Sequence, residues 1–166
     1  LKKNNYINKE FIFFTEEHHS LMLTSFKIIK SNFLFGTGSK SFSFLCGKDE
    51  FKTITYPNND IGKEDIGCST HPHNVFLQVF LEYGILGIII YLTILTQVIF
   101  KFFFNILEYN KRELPIYKNK NLSLVFLYLS LLMNIFPFIP SGSLFNNWFS
   151  IILYMPIGFI LSLEKK

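Results

Sequence analysis

The residues best equipped for chemistry lie in one run, Cys68-Ser69-Thr70-His71-Pro72-His73-Asn74, directly before an apolar stretch from Val75 to Phe104. Two imidazoles flank a proline, and from Asn74 a polar series continues at Gln78 and Glu82, each four residues on. In a helix those three side chains share one face. Polar groups at the mouth of a segment long enough to cross a bilayer are costly there, so they must face protein or a wet cavity.

Several chemistries fit the histidines. At a helix N-terminus, where free N–H groups and a partial positive charge gather, His73 could bind or protonate an anion such as a pyrophosphate. As a neutral imidazole it could take a proton from a sugar hydroxyl. A zinc site is the third option, with Cys68, His71 and His73 close in sequence and His18-His19 as further donors. The plainest option is a solvated histidine pair at a helix start. Gln78 reads as glue between neighbouring elements, whereas Glu82 could orient a histidine, hold an arginine or take a proton.

What must position these groups is a membrane framework. Hydrophobic residues make up 49% of the chain and aromatics 18%, with 21 phenylalanines, many in runs such as Phe102-Phe103-Phe104. That composition is too apolar for an ordinary soluble domain of this length. The formal charge of +4 is scattered, with no basic stripe interleaved with aromatics, which argues against a nucleic-acid partner.

The expected fold is an all-α membrane protein: three transmembrane helices, at about 74–100, 122–139 and 147–163, preceded by a periplasmic loop region, 1–73, with one amphipathic helix at about 16–30. Thr15 followed by Glu16 and Glu17 is a helix start, and Met22, Phe26 and Ile29 recur near helical spacing. Phe11 to Phe14 is too short to span. Gly36-Thr37-Gly38-Ser39-Lys40 lacks the Gly-Lys-Ser/Thr order of a phosphate loop and reads as a turn, as does Pro57-Asn58-Asn59-Asp60. The stretch Ser31 to Gly67 is expected to be an ordered but irregular, water-exposed loop.

The loop 101–121 carries Lys101, Lys111, Arg112, Lys118 and Lys120 against Glu108 and Glu113, which places it in the cytoplasm. The hairpin 141–147, followed by Trp148, then lies outside and the Lys165-Lys166 tail inside. Gly84 and Gly87 would let another helix approach closely. Cys46 and Cys68, the only cysteines, share the outward-facing region; a disulfide there would close a loop of about 22 residues, with a stabilisation of roughly 3 kcal/mol.

His73-Asn74, nine residues, Gly84, two residues, Gly87 resembles the His-Asn-x9-Gly-x-x-Gly signature of the O-antigen ligase and O-antigen polymerase family of bacterial inner-membrane glycosyltransferases. Phe35 to Phe42 resembles the family's Gly-x-Gly loop, Cys68 to Gln78 its Cys-Ser-Thr-His-Pro-His-Asn variants, and Ser141 to Trp148 with Pro156-Ile157-Gly158 the end of such proteins. The resemblance covers most of Ser20 to Leu163. It implies a C-terminal portion of a many-helix enzyme, inactive without its upstream helices, in keeping with a chain that begins at Leu1 without a signal sequence.

By that resemblance the protein sits in the inner membrane with its active side periplasmic. It takes a glycan from an undecaprenyl-pyrophosphate carrier and passes it to a glycan or a lipid A-core acceptor, as polymerase or ligase, without metal or other cofactor. His73 would be catalytic with Glu82 in support, and His71, Asn74, Gln78 and Lys40 would bind substrate. The pattern departs at Ser43, where relatives often carry arginine. The only arginine, Arg112, falls in the cytoplasmic loop, so the pyrophosphate-binding arginines are expected upstream of Leu1. The reading from another class is a non-catalytic membrane transporter or assembly scaffold on the same helices.

Overall fold

The computed structural model describes residues 15–53, 67–111 and 114–165. Among these residues the fold is entirely helical: α1 (Glu16–Ser31), α2 (Phe42–Leu45), α3 (Val75–Lys111), α4 (Pro115–Ile135) and α5 (Asn147–Glu164). The apolar run 11–14, the turn at 57–60 and the Arg112-Glu113 pair lie outside the described residues.

Thr15 opens α1 from an extended backbone, its hydroxyl accepting from the His18 N–H. One face of α1 is buried, and it packs on α3. The described part of the segment after α1 is less irregular than expected. It contains α2, and it is tied back to α1 by a Thr24–Thr53 hydroxyl bond of 2.8 Å and by Lys27 Nζ donating to Lys52 O at 2.6 Å. The Cys46–Cys68 disulfide, with Cα atoms 5.1 Å apart, joins the end of α2 to the start of the histidine run.

The expected loop 101–121 is corrected by the structure. α3 continues to Lys111 and α4 already begins at Pro115. No glycine or proline interrupts 88–111, and Lys101 is accommodated by an ion pair to Glu164 at 3.0 Å. Pro115 suits a first helical turn, where its missing N–H costs nothing, and it holds Leu114 extended before it. At the other end α4 stops at Ile135, short of 139, because Phe136 precedes Pro137 and is pushed to φ −68°, ψ 130°.

Two helices, α3 and α5, are long and apolar enough to cross a membrane. The third expected span, α4, does not meet that measure: its first turns are polar, with Asn119, Lys120 and Asn121 ahead of the apolar stretch.

The long helix is not straight. Gly84, at φ 63° and ψ −154°, divides it into arms 75–83 and 85–111. That backbone region is essentially restricted to glycine. The arms fold toward each other, so that the Phe76 and Tyr91 rings lie 5.8 Å apart, whereas a straight helix would separate residues fifteen positions apart by roughly 22 Å. The first arm faces two cores, with Val75 packing alongside the second arm. Leu77 and Leu81 of the first arm pack with Leu21, Ile28, Phe42 and the disulfide, while Tyr91, Leu95 and Val98 of the second pack with α4 and α5.

Candidate functional site

The first arm of α3 begins at a turn that the structure clamps from outside. His73 has φ 53°, a left-handed backbone that costs a non-glycine residue about 1 kcal/mol. Asn74 caps the arm through Oδ1, which accepts from Leu77 N at 3.0 Å. Its amide nitrogen donates to Pro137 O at 2.8 Å. Ser141 closes the clamp, its N–H donating to His73 O and its hydroxyl accepting from Val75 N, both at 2.9 Å. The α4–α5 connection therefore holds the histidine turn in place, and the backbone hydrogen bonds offset the unfavourable φ.

Three imidazoles meet at this turn. The His71 and His73 rings are 4.1 Å apart and tilted by 32°, and His18, from the first turn of α1, meets His73 edge-on at 5.9 Å. Each ring has a hydroxyl neighbour: Ser69 Oγ lies 3.2 Å from His73 Nε2, Thr70 Oγ1 2.9 Å from His71 Nδ1, and Thr15 Oγ1 2.7 Å from His18 Nδ1. His71 Nε2 is buried without a hydrogen bond.

Burial, and then the neighbouring His73, bring the His71 pKa down to about 4. His73 is also held below the ordinary imidazole range, by burial first and His18 second, with Glu17 pulling the other way. Both rings are therefore neutral at pH 7. A neutral imidazole is a proton acceptor and a poor permanent counter-charge.

The polar series beyond His73 is used within the fold. The Gln78 amide nitrogen donates to Glu82 Oε1 and to Ser143 Oγ, each at 3.1 Å, while its oxygen accepts from Leu144 N at 3.1 Å. Glu82 is 2% exposed, and its Oε2 is buried without a hydrogen bond of normal geometry. Besides Gln78, its polar neighbours are Lys40 and Ser39. Glu82 does not meet His73; nine residues of helix place it roughly 13 Å along the arm. Lys40, at φ 58°, belongs to the Glu82 end of the site and not to the imidazoles.

The Gly36-Thr37-Gly38 segment lies across the helix break. Thr37 N donates to Leu81 O at 2.8 Å, Gly38 N to Glu82 O at 3.0 Å, and Ile85 N to Phe33 O at 3.1 Å. The orphan carbonyls of the first arm and the orphan N–H of the second are thus satisfied by the same segment. Gly84 does permit a close approach, as expected of it, but by this segment and not by another helix. A Cβ on Gly87 would meet Tyr83 Cβ at 2.5 Å, within the bend itself.

A zinc site built on Cys68 loses its sulfur to the disulfide, and among the described residues no three His, Cys, Asp or Glu side chains are grouped to hold an ion. Ser69, Ser141 and Ser143 were not legible as site residues, since serines in polar loops carry no periodic signal. His18 was visible only as a further donor for zinc; its place at the first turn of a capped helix was the signal for more.

Residues 19–92, from the first turn of α1 through the second arm of α3 as far as Leu92, match the family described as O-antigen ligase. The stretch contains the disulfide, the histidine turn and the helix break, and over it the resemblance carried by His73-Asn74, Gly84 and Gly87 is borne out. The match supports a glycan-processing role in a membrane for this stretch, in general terms. No curated protein and no solved structure matches the chain.

Proposed function

Proceeding from an O-antigen ligase domain at residues 19–92, we propose that the chain is part of a glycosyltransferase that moves lipid-pyrophosphate-linked glycan to an acceptor hydroxyl, with His73 as general base. The observation that carries this reading is a neutral imidazole fixed in a left-handed turn at a helix start, partly buried and flanked by a second neutral imidazole. In the reaction, His73 accepts the proton of the acceptor hydroxyl as its oxygen attacks the anomeric carbon. The bond from that carbon to the phosphate oxygen breaks, the lipid pyrophosphate leaves with the electron pair, and the proton on His73 passes to solvent.

Asn74 and Ser141 position the base, and Gln78 with Glu82 fixes the first arm against the α4–α5 connection. On this reading α3, α4 and α5 all cross the inner membrane, with the histidine turn on the periplasmic side. Lys40 and His71 are proposed contacts of the donor, and cationic groups elsewhere in the protein stabilise the departing pyrophosphate.

Purified full-length protein in lipid vesicles, given a lipid-pyrophosphate-linked oligosaccharide, tests the reaction class. Release of free lipid pyrophosphate that requires the acceptor glycan is expected. Binding of donor without transfer under any acceptor would leave a scaffold or transporter and end the proposal.

A further inference from the structure

The segment between α1 and α2 carries three consecutive large apolar side chains that the fold leaves outside: Phe33 is 49% exposed, Leu34 60% and Phe35 79%. They are not held loosely. Gly36 N donates to Asn32 O at 2.9 Å, Ile85 N donates to Phe33 O, and a Cβ on Gly84 would collide with Leu34 O. The backbone of this tip is fixed to the bend of α3, so its height is the height of Gly84.

That height can be located from the other end of the bundle. Lys101 and Glu164 form an ion pair, which brings those points of α3 and α5 level. From Lys101 back to Gly84 is seventeen residues, roughly 25 Å, and from Glu164 back to Trp148 is sixteen, roughly 24 Å. Gly84 and Trp148 are therefore level, and a direct contact agrees: the Tyr83 and Phe145 rings lie 6.3 Å apart. A layer of roughly 25 Å bounded by an ion pair at one side and a 78% exposed tryptophan at the other matches most of a bilayer's hydrocarbon thickness of about 30 Å.

Exposure follows the same level. On the second arm, Leu86, Ile89, Ile90 and Ile94 are all more than half exposed or at half, and no side chain of 75–82 is exposed. The exposed apolar surface of α3 starts at the bend, and Phe35 lies beside it, lining one groove with Tyr83, Leu86 and Ile90.

We propose that Phe33-Leu34-Phe35 is seated in the membrane, in the interfacial layer of the outer-facing leaflet, level with Tyr83 and Trp148. The occupant of this surface is lipid. The tip then works as an anchor: through the hydrogen bonds at the bend it fixes the height of the first arm of α3, and with it the histidine turn, relative to the lipid–water boundary. This rests on the membrane framework and not on the transfer chemistry.

Trp148 is the only tryptophan, so the depth of the tip can be read optically. The full-length protein with Trp148→Phe and Phe35→Trp, in phosphatidylethanolamine–phosphatidylglycerol vesicles, is compared with a second reporter, Leu34→Trp, and with the native Trp148. Any further tryptophan in the full-length protein is replaced by phenylalanine, and each variant is first shown to unfold at the same temperature as the native protein. The expected result is blue-shifted emission from both reporters, strongly lost with lipids brominated near the headgroup end of the acyl chain and insensitive to aqueous iodide. Iodide quenching without bromolipid quenching places the tip in water and overturns the proposal. Insensitivity to both quenchers shows it covered by another part of the protein, which overturns it equally.

Discussion

Gly36 and Gly84 meet backbone to backbone, each occupying the space a Cβ on the other would need. A Cβ on Gly36 would lie 2.5 Å from Glu82 C and 2.6 Å from Gly84 N, and both glycines have positive φ. Residues forty-eight positions apart in sequence thus form one joint, and the joint sets the direction of both arms of α3.

Gly36→Ala and Gly84→Ala are each expected to lower stability by about 2–4 kcal/mol, from backbone strain plus the collision. Gly38→Ala is the control. Its φ is 90° but a Cβ there meets nothing within 4 Å, so the cost should be the strain alone, about 1–2 kcal/mol. Thermal unfolding of the three variants in detergent checks the order. Equal losses at all three would remove the joint from the account.

Acidification should loosen the fold through His71. Its pKa is depressed to about 4, so between about pH 6.5 and 4 the unfolded chain binds a proton that the folded chain does not. Stability from this group is complete above about pH 6.5 and is lost as pH falls toward 4. The ring is partly exposed, so the effect is modest. Unfolding temperatures of native protein and His71→Phe should converge in slope above pH 7 and separate below pH 6, with the variant flatter.

Charge neighbours should move the base in opposite directions. His18 lowers the His73 pKa and Glu17 raises it. In a transfer assay, His18→Gln is expected to shift the acid limb of the pH–rate profile upward and Glu17→Gln to shift it downward. Parallel shifts would mean that neither residue acts electrostatically on His73.

Breaking the Gln78 relay should be costly, because Gln78 and Glu82 are both buried. Gln78→Leu leaves the Glu82 carboxylate, Ser143 Oγ and Leu144 N each short of a partner. Leaving such buried groups unpaired costs about 1–3 kcal/mol each. Adding Glu82→Leu should recover part of the loss, and double-mutant unfolding measures how much.

The disulfide should be protected and stabilising. Removing it by Cys46→Ser with Cys68→Ser frees a 22-residue closure and is expected to cost about 3 kcal/mol. Thiol labelling of intact protein with and without reductant checks the pairing; labelling without reductant would exclude it.

Much of the framework was open to inspection in the sequence because its signals are local. Thr15 with two acids announced α1, and His73-Asn74 with two glycines at fixed spacing announced the family resemblance. What stayed hidden depends on distant partners. Gly84 looks like any small residue in a membrane helix until Gly36 is laid against it. Lys101 looks like the start of a loop until Glu164 from the far end of the chain neutralises it. Ser141 and Ser143 gain their meaning only from the histidine turn and Gln78, more than sixty residues earlier.

On the proposed reading His73 does chemistry and does not merely hold the turn. Replacing it in the full-length protein by Asn, which tolerates the left-handed backbone, keeps the clamp from Ser141 while removing the base. The expected result is a folded His73→Asn protein in the membrane with surface glycan polymerisation or ligation abolished. Unchanged surface glycan in that variant would contradict it.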